Sequence, residues 1–300
     1  MKHTKKITFL LLGMFFLAQI FGIFVVSQYA PVTKQVIGPD GNITTIISHN
    51  LPYGLEPPED VSPGNAVVSI VMAIIFAVFL MLFLMKYKVE IVLRIWFFVV
   101  VTLALGISIN SLLPEISLSS LLSLAIAIPL AFAKIFKRNI LVHNLTEIAV
   151  YPGIAAIFVP ILNIWSVVLL LILISLYDMY AVWHSGFMQK MAKYQIQKVK
   201  VFGGLFVPYI KKEDLQKLKA KKGKEKPVKI TVAILGGGDL VYPIIIAGVV
   251  LRSFGLLSAL IVAIGATIAL AGLFYLTEKG RFYPAMPFIS SGCFFALGIV

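Results

Sequence analysis

The apolar residues of this chain fall into nine blocks of about 17–25, each long enough to cross a bilayer as a helix. The blocks run at roughly 7–26, 65–85, 91–109, 117–133, 143–161, 163–183, 230–250, 254–275 and 284–300. Within hydrocarbon a backbone must satisfy its own hydrogen bonds, so nine such blocks leave helices as the natural solution. The expected fold is an all-α polytopic membrane protein with nine transmembrane helices in a single membrane domain. Composition agrees: the chain has 300 residues, 60% of them hydrophobic, with a mean hydropathy of +0.98. The first block follows Lys2, Lys5 and Lys6, as a signal peptide would. Its apolar core of about 20 residues exceeds the usual 7–15, and no small-residue cleavage site follows, so it reads as a helix.

The net charge of +13 invites a nucleic-acid partner, but the placement of the charges excludes one. With the N-terminus in the cytoplasm and nine alternating helices, 23 of the 26 lysines and arginines lie on the cytoplasmic side. Lys34 and Arg252 lie outside, and Arg94 sits within a span, near enough to its cytoplasmic end to snorkel. This is the positive-inside pattern of a multi-pass cell-membrane protein with an extracellular C-terminus. The basic surface faces anionic lipid. Residues 27–64 form an extracellular loop, read as a small cap or hairpin, and carry the sequon Asn42-Ile43-Thr44. Asn144-Leu145-Thr146 also matches a sequon, but it starts the fifth span and is disregarded. Cys293 is the one cysteine, so no internal disulfide forms.

Residues 185–229 form a cytoplasmic basic loop. Phe187, Met188, Met191, Tyr194 and Val199 stand near helical spacing among lysines, as in a helix lying on the membrane face. The stretch "VFGGLFVPYI", 201–210, is too short to span and is expected in the interface. Residues 211–226 read as a solvated charged run.

Ten of the 13 acidic residues lie in loops or at helix ends; Glu147, Asp178 and Asp239 do not. A carboxylate within a span costs about 3 kcal/mol on insertion scales, so each needs a reason. Asp178 stands about five residues, roughly 8 Å, from the cytoplasmic end of its span. Asp239 stands about ten residues, roughly 15 Å, beyond Lys229 in the next, antiparallel span. The depths are compatible, and the two helices are able to pack side by side. Two carboxylates in contact do not both ionise easily; one keeps a proton. Such a pair activates water, with the anion taking its proton while the acid protonates the attacked carbonyl.

Tyr177-Asp178, Gly236-Gly237-Gly238-Asp239 and Pro284-Ala285-Met286-Pro287 resemble the YD, GxGD and PAL motifs of the presenilin and signal peptide peptidase family. "HSGFM" after the YD helix is similar to archaeal members. Motif order, spacing and helix count agree over essentially the whole chain, with Met286 in place of the family's leucine. The cytoplasmic N-terminus and Pro287 resemble the presenilin branch. The resemblance implies an intramembrane aspartyl protease that cuts transmembrane helices and needs no cofactor. Asp178 and Asp239 would be its catalytic pair. Gly236, Gly238, Pro284, Ala285 and Met286 would shape the substrate path, since glycine lets another backbone come close. Tyr177 is either a hydrogen-bonding neighbour of the pair or an ordinary packed tyrosine. Substrates would be spans with an external N-terminus.

His143 and Glu147, four apart, share a helix face. No HExxH and no third ligand accompany them, so they read as a structural contact rather than a metal site. In the stretch "VKITVAI", 228–234, Val228, Ile230, Val232 and Ile234 alternate with Lys229, Thr231 and Ala233, and β-branched residues dominate. It reads either as an edge strand, with Ile230 and Thr231 pairing with an unwound substrate, or as the start of the seventh helix. An ion-coupled transporter is the rival function, because it too uses intramembrane acids and glycine-broken helices. No internal repeat supports it. The sequence leaves oligomeric state open.

Overall fold

Long apolar runs become helices wherever their backbone has no other source of hydrogen bonds. Among the described residues these are α1 (Lys5–Gln28), α2 (Pro63–Tyr87), α3 (Glu90–Asn110), α4 (Ser119–Phe136), α5 (Ile140–Phe158), α6 (Ile164–Tyr180), α7 (Gly237–Phe254), α8 (Leu256–Leu276) and α9 (Met286–Leu297). The structure is a computed structural model that describes residues 5–30, 32–37, 43–48, 51–55, 63–87, 89–114, 116, 118–137, 139–185, 194–199, 201–209, 231–277 and 283–300. Eight of these helices are long and apolar enough to cross a membrane. The ninth, α9, is apolar but has 12 residues.

Helix boundaries follow local chemistry. Asn139 caps α5 by accepting from the Leu141 N–H at 2.9 Å, and Asn163 caps α6 by accepting from Ser166 at 2.8 Å. The chain between the two helices turns through Val159–Ile161, where Pro160 withholds a donor.

Helices α1, α5, α6, α7, α8 and α9 supply most of the main core. Small residues bring them close: a Cβ on Gly265 of α8 would lie 2.6 Å from the Gly292 carbonyl of α9. Helices α3 and α4 pack on each other and α3 on α5, while α2 keeps few buried residues. Large apolar side chains such as Phe76, Phe79 and Trp165 cover the outside. Lipid, not water, suits such a surface.

Two antiparallel ribbons join this helical frame. Strands β1 (Val32–Ile37) and β2 (Ile43–Ser48) pair within the loop read as a cap or hairpin. Strands β3 (Gly204–Tyr209) and β4 (Thr231–Gly236) pair beside the start of α7. The segment expected to lie in the interface is therefore a strand, with Leu205 and Val207 buried against the core. Helix α7 begins at Gly237 and not near 230, because the β-branched run 231–234 stays extended and Gly236 (φ −66°, ψ 151°) turns it into the helix. Of the basic loop, residues 186–193, 200 and 210–229 lie outside the described residues, including Phe187, Met188, Met191 and the charged run.

Candidate active site

Helices α6, α7 and α9 pack against one another, and each brings one quoted motif to their junction. Asp178, in the last turn of α6, is buried. Its Oδ2 accepts the Met286 N–H at 3.0 Å, and the Ala285 N–H stands nearby. These donors stand at the first turn of α9, where helix N–H groups have no intrahelical partner. Pro284 and Pro287 flank them and have no N–H to offer. The Met286 N–H thus holds an aspartate at a helix N-terminus, where the helix dipole favours an anion. A second tie joins α6 to α9: the Ser175 hydroxyl donates to Ser290 Oγ at 3.0 Å.

Asp239 lies in the first turn of α7, three residues after its N-cap Gly236. Its carboxylate folds back toward the Gly236 backbone, in the sense of a capping box. The side chain is partly buried. Asp178 lies close enough for its charge to act on Asp239. The structure therefore brings the two expected carboxylates within electrostatic reach of each other, with Asp178 held by a backbone donor.

The glycines divide the work. Gly238 is exposed, and a Cβ there would meet nothing closer than Tyr242 at 3.5 Å. A Cβ on Gly236 would press on Asp239 Oδ2 at 3.3 Å. The tightest of the three is Gly237, where a Cβ would stand 2.8 Å from ring carbons of the buried Tyr151. Sequence reasoning missed it, since the ring comes from α5 and nothing local signals it. Tyr177 is partly exposed, near Asp178 and Tyr242, and makes no hydrogen bond to the pair among those found. Ile230 lies outside the described residues; Thr231 opens β4.

The ribbon leads into this site. Gly237 N–H donates to the Gly203 carbonyl at 3.2 Å, which fixes the phase of the ladder. With Leu205 opposite Leu235 and Val207 opposite Ala233, these residues exchange bonds across the ribbon. Gly204 and Phe206 on β3, and Val232 and Ile234 on β4, then turn their backbone groups outward. On the β4 edge the last outward N–H, that of Gly236, stands beside Asp239. The side chains of Val232 and Ile234 are exposed.

His143 and Glu147 lie on the β3 side of the ribbon with Lys134 and Asn144, and Tyr151 reaches from Glu147 to Gly237 beside Asp239. No cluster with metal-binding geometry occurs among the described residues.

The family described as "Signal-peptide peptidase, presenilin aspartyl protease" matches residues 43–300. Among solved structures, one titled "Structure of a presenilin family intramembrane aspartate protease in C222 space group" superposes with a TM-score of 0.59 at 16% identity, covering 96% of this chain and 94% of that one. A second, of a presenilin family intramembrane aspartate protease in the P2 space group, gives 0.60 at 17% identity, covering 96% and 95%. At that identity the likeness is one of fold. A comparison with curated proteins found no match.

Proposed function

Since the chain belongs to the signal-peptide peptidase and presenilin family of aspartyl proteases, it is a multi-pass intramembrane aspartyl protease, and we propose that Asp178 and Asp239 are the residues that hydrolyse peptide bonds within transmembrane helices. The observation that carries the assignment is the junction itself, with two carboxylates from α6 and α7 within electrostatic reach and Asp178 held by the Met286 N–H. One carboxylate takes a proton from water as the water oxygen attacks the scissile carbonyl carbon. The other, protonated, donates to the carbonyl oxygen. Collapse of the gem-diol then breaks the C–N bond, with a proton delivered to the leaving nitrogen. A transporter reading loses its footing, because the family is proteolytic. The test is incubation of the purified chain with a single-span protein and identification of the fragments by mass. New termini inside the span are expected; termini only in soluble segments would overturn the reading.

A bond inside an intact helix has its backbone groups already paired, so the substrate must unwind and find new partners in a dry site. The outward groups of Val232 and Ile234 offer them on an edge that ends at Asp239, and the proposal is that the substrate adds there as a strand. Thr231 faces β3 in this register, so proline at that position would break the ribbon itself. The cleaner probe is Ile234→Pro, which removes an outward donor and no ribbon bond. Turnover of a single-span substrate should fall about tenfold or more with the loss of that pairing. Unchanged turnover in folded enzyme would rule out pairing at this edge.

Orientation follows from charge. The 23 basic residues assigned to one side support a cytoplasmic N-terminus, an extracellular C-terminus and a catalytic pair in the cytoplasmic half of the membrane. Spans with an external N-terminus should be cut in their cytoplasmic half. Equal cutting of the same span inserted the other way round would refute the orientation.

A further inference from the structure

A two-stranded ribbon has two open edges and is marginal on its own. Here one edge is closed by side chains. On β3, the Gly204 N–H donates to Glu147 Oε2 at 3.0 Å, and the Gly204 carbonyl accepts from His143 Nε2 at 2.8 Å. The Phe206 N–H donates to Asn144 Oδ1 at 2.9 Å, and the Phe206 carbonyl accepts from Asn144 Nδ2 at 2.7 Å. These are the outward groups of two alternate residues, the set a third strand would use. Three side chains from a little over one turn of α5 thus stand where a strand would stand. The His143 ring also stacks on Phe206, with centroids 4.7 Å apart.

The arrangement is tied further into the protein. Glu147 accepts from Lys134 of α4 and from the Tyr151 hydroxyl. The Tyr151 ring covers Gly237 at the start of α7. A single buried carboxylate therefore links α4, α5, β3 and the turn that presents Asp239. The protease chemistry uses none of these side chains. Backbone pairing of β3 also accounts for Asn144, whose amide nitrogen and oxygen each bond Phe206 despite its sequon.

We propose that His143, Asn144 and Glu147 are positioning residues that keep the β3–β4 ribbon formed beside the carboxylate pair before substrate arrives and, by occupying the β3 edge, leave the β4 edge as the one open to substrate. This rests on the reading of β4 as the substrate-pairing strand. The physical gain is preorganisation. If the ribbon were formed only part of the time, apparent affinity would fall by that fraction, while saturating substrate would restore turnover.

Asn144→Ala removes both Phe206 bonds. His143→Phe keeps a stacked ring and removes one bond to Gly204. In purified, substrate-free Asn144→Ala enzyme, amide exchange in 204–209 and 231–236 should quicken about tenfold, with α6 and α7 unchanged. KM for a single-span substrate should rise about tenfold while kcat stays within about threefold. His143→Phe should show the same pattern, smaller. Unchanged exchange would overturn the proposal. So would raised exchange with unchanged KM, a fall in kcat alone, or loss of helical structure throughout the chain in both variants. The exchange is read without substrate, so it reports on the α5 contacts even if Ile234→Pro shows that substrate pairs elsewhere.

Discussion

Asp178→Ala and Asp239→Ala should each lower cleavage of a single-span substrate by about a thousandfold or more, the scale of a lost general acid or base. Each variant should still purify as a folded helical protein. Asp178→Ala strips an acceptor from the Met286 N–H. That group belongs to a first helical turn, which lacks intrahelical partners in any case, so the cost is about 1 kcal/mol for the lost bond against the removal of a buried acid. Asp239→Ala gives up the reach back to Gly236, a comparable loss. Helix α7 retains its other contacts with α1, α5 and α8. Circular dichroism of the purified variants, read beside fragment yield, separates lost chemistry from lost fold. Asp→Asn at either position keeps the shape and should be as inactive, because the pair needs one anion and one acid. The wild-type rate should trace a bell against pH, since two interacting carboxyls titrate as a unit in two steps. Substantial turnover in either variant, or a rate that only rises or only falls with pH, would remove the pair from the mechanism.

The helices were legible because length and apolarity act alone: a run such as 254–275 has little option in lipid but to coil. Asp178 and Asp239 stood out for the converse reason, that a carboxylate in such a run is expensive. What the sequence hid depends on partners far along the chain. "VFGGLFVPYI" is apolar on both faces of its strand, so it shows no alternation to mark it as β3. Its pairing with β4 and its grip by Asn144 are tertiary facts. Gly237 looked interchangeable with its neighbours until the Tyr151 ring was placed against it. His143 and Glu147 were recognisable as a pair on one helix face. Their occupation, holding β3, was not, because Gly204 offers only backbone and a backbone group carries no sequence signature. The alternation in 228–234 did signal a strand, but its phase was out of reach: the Gly237–Gly203 bond and the outward bonds of Gly204 and Phe206 show that the backbone groups of Thr231 face inward and those of Ile234 outward.

Lys134→Met should destabilise the protein by about 3–5 kcal/mol, the scale for removing one partner of a buried ion pair. The side chains of Lys134 and Glu147 are 3% and 1% exposed, so neither water nor salt stands ready to replace the lysine. Methionine matches the stem in length and fills its volume, which confines the change to charge. Glu147 would keep its bonds from Tyr151 and the Gly204 N–H, but as an anion without a counter-charge in a site of low dielectric. His143 Nε2, 3.7 Å from Glu147 Oε1, already donates to the Gly204 carbonyl and is committed there. The loss should appear as a lower midpoint for loss of helical structure on heating or in denaturing detergent. Adding Glu147→Gln should recover part of it, because the amide is neutral and still accepts through its oxygen. A double variant less stable than Lys134→Met would mean that Glu147 needs no counter-charge. A single variant within about 1 kcal/mol of the wild type would place the pair among solvent-exposed ones, whose contribution is of that size.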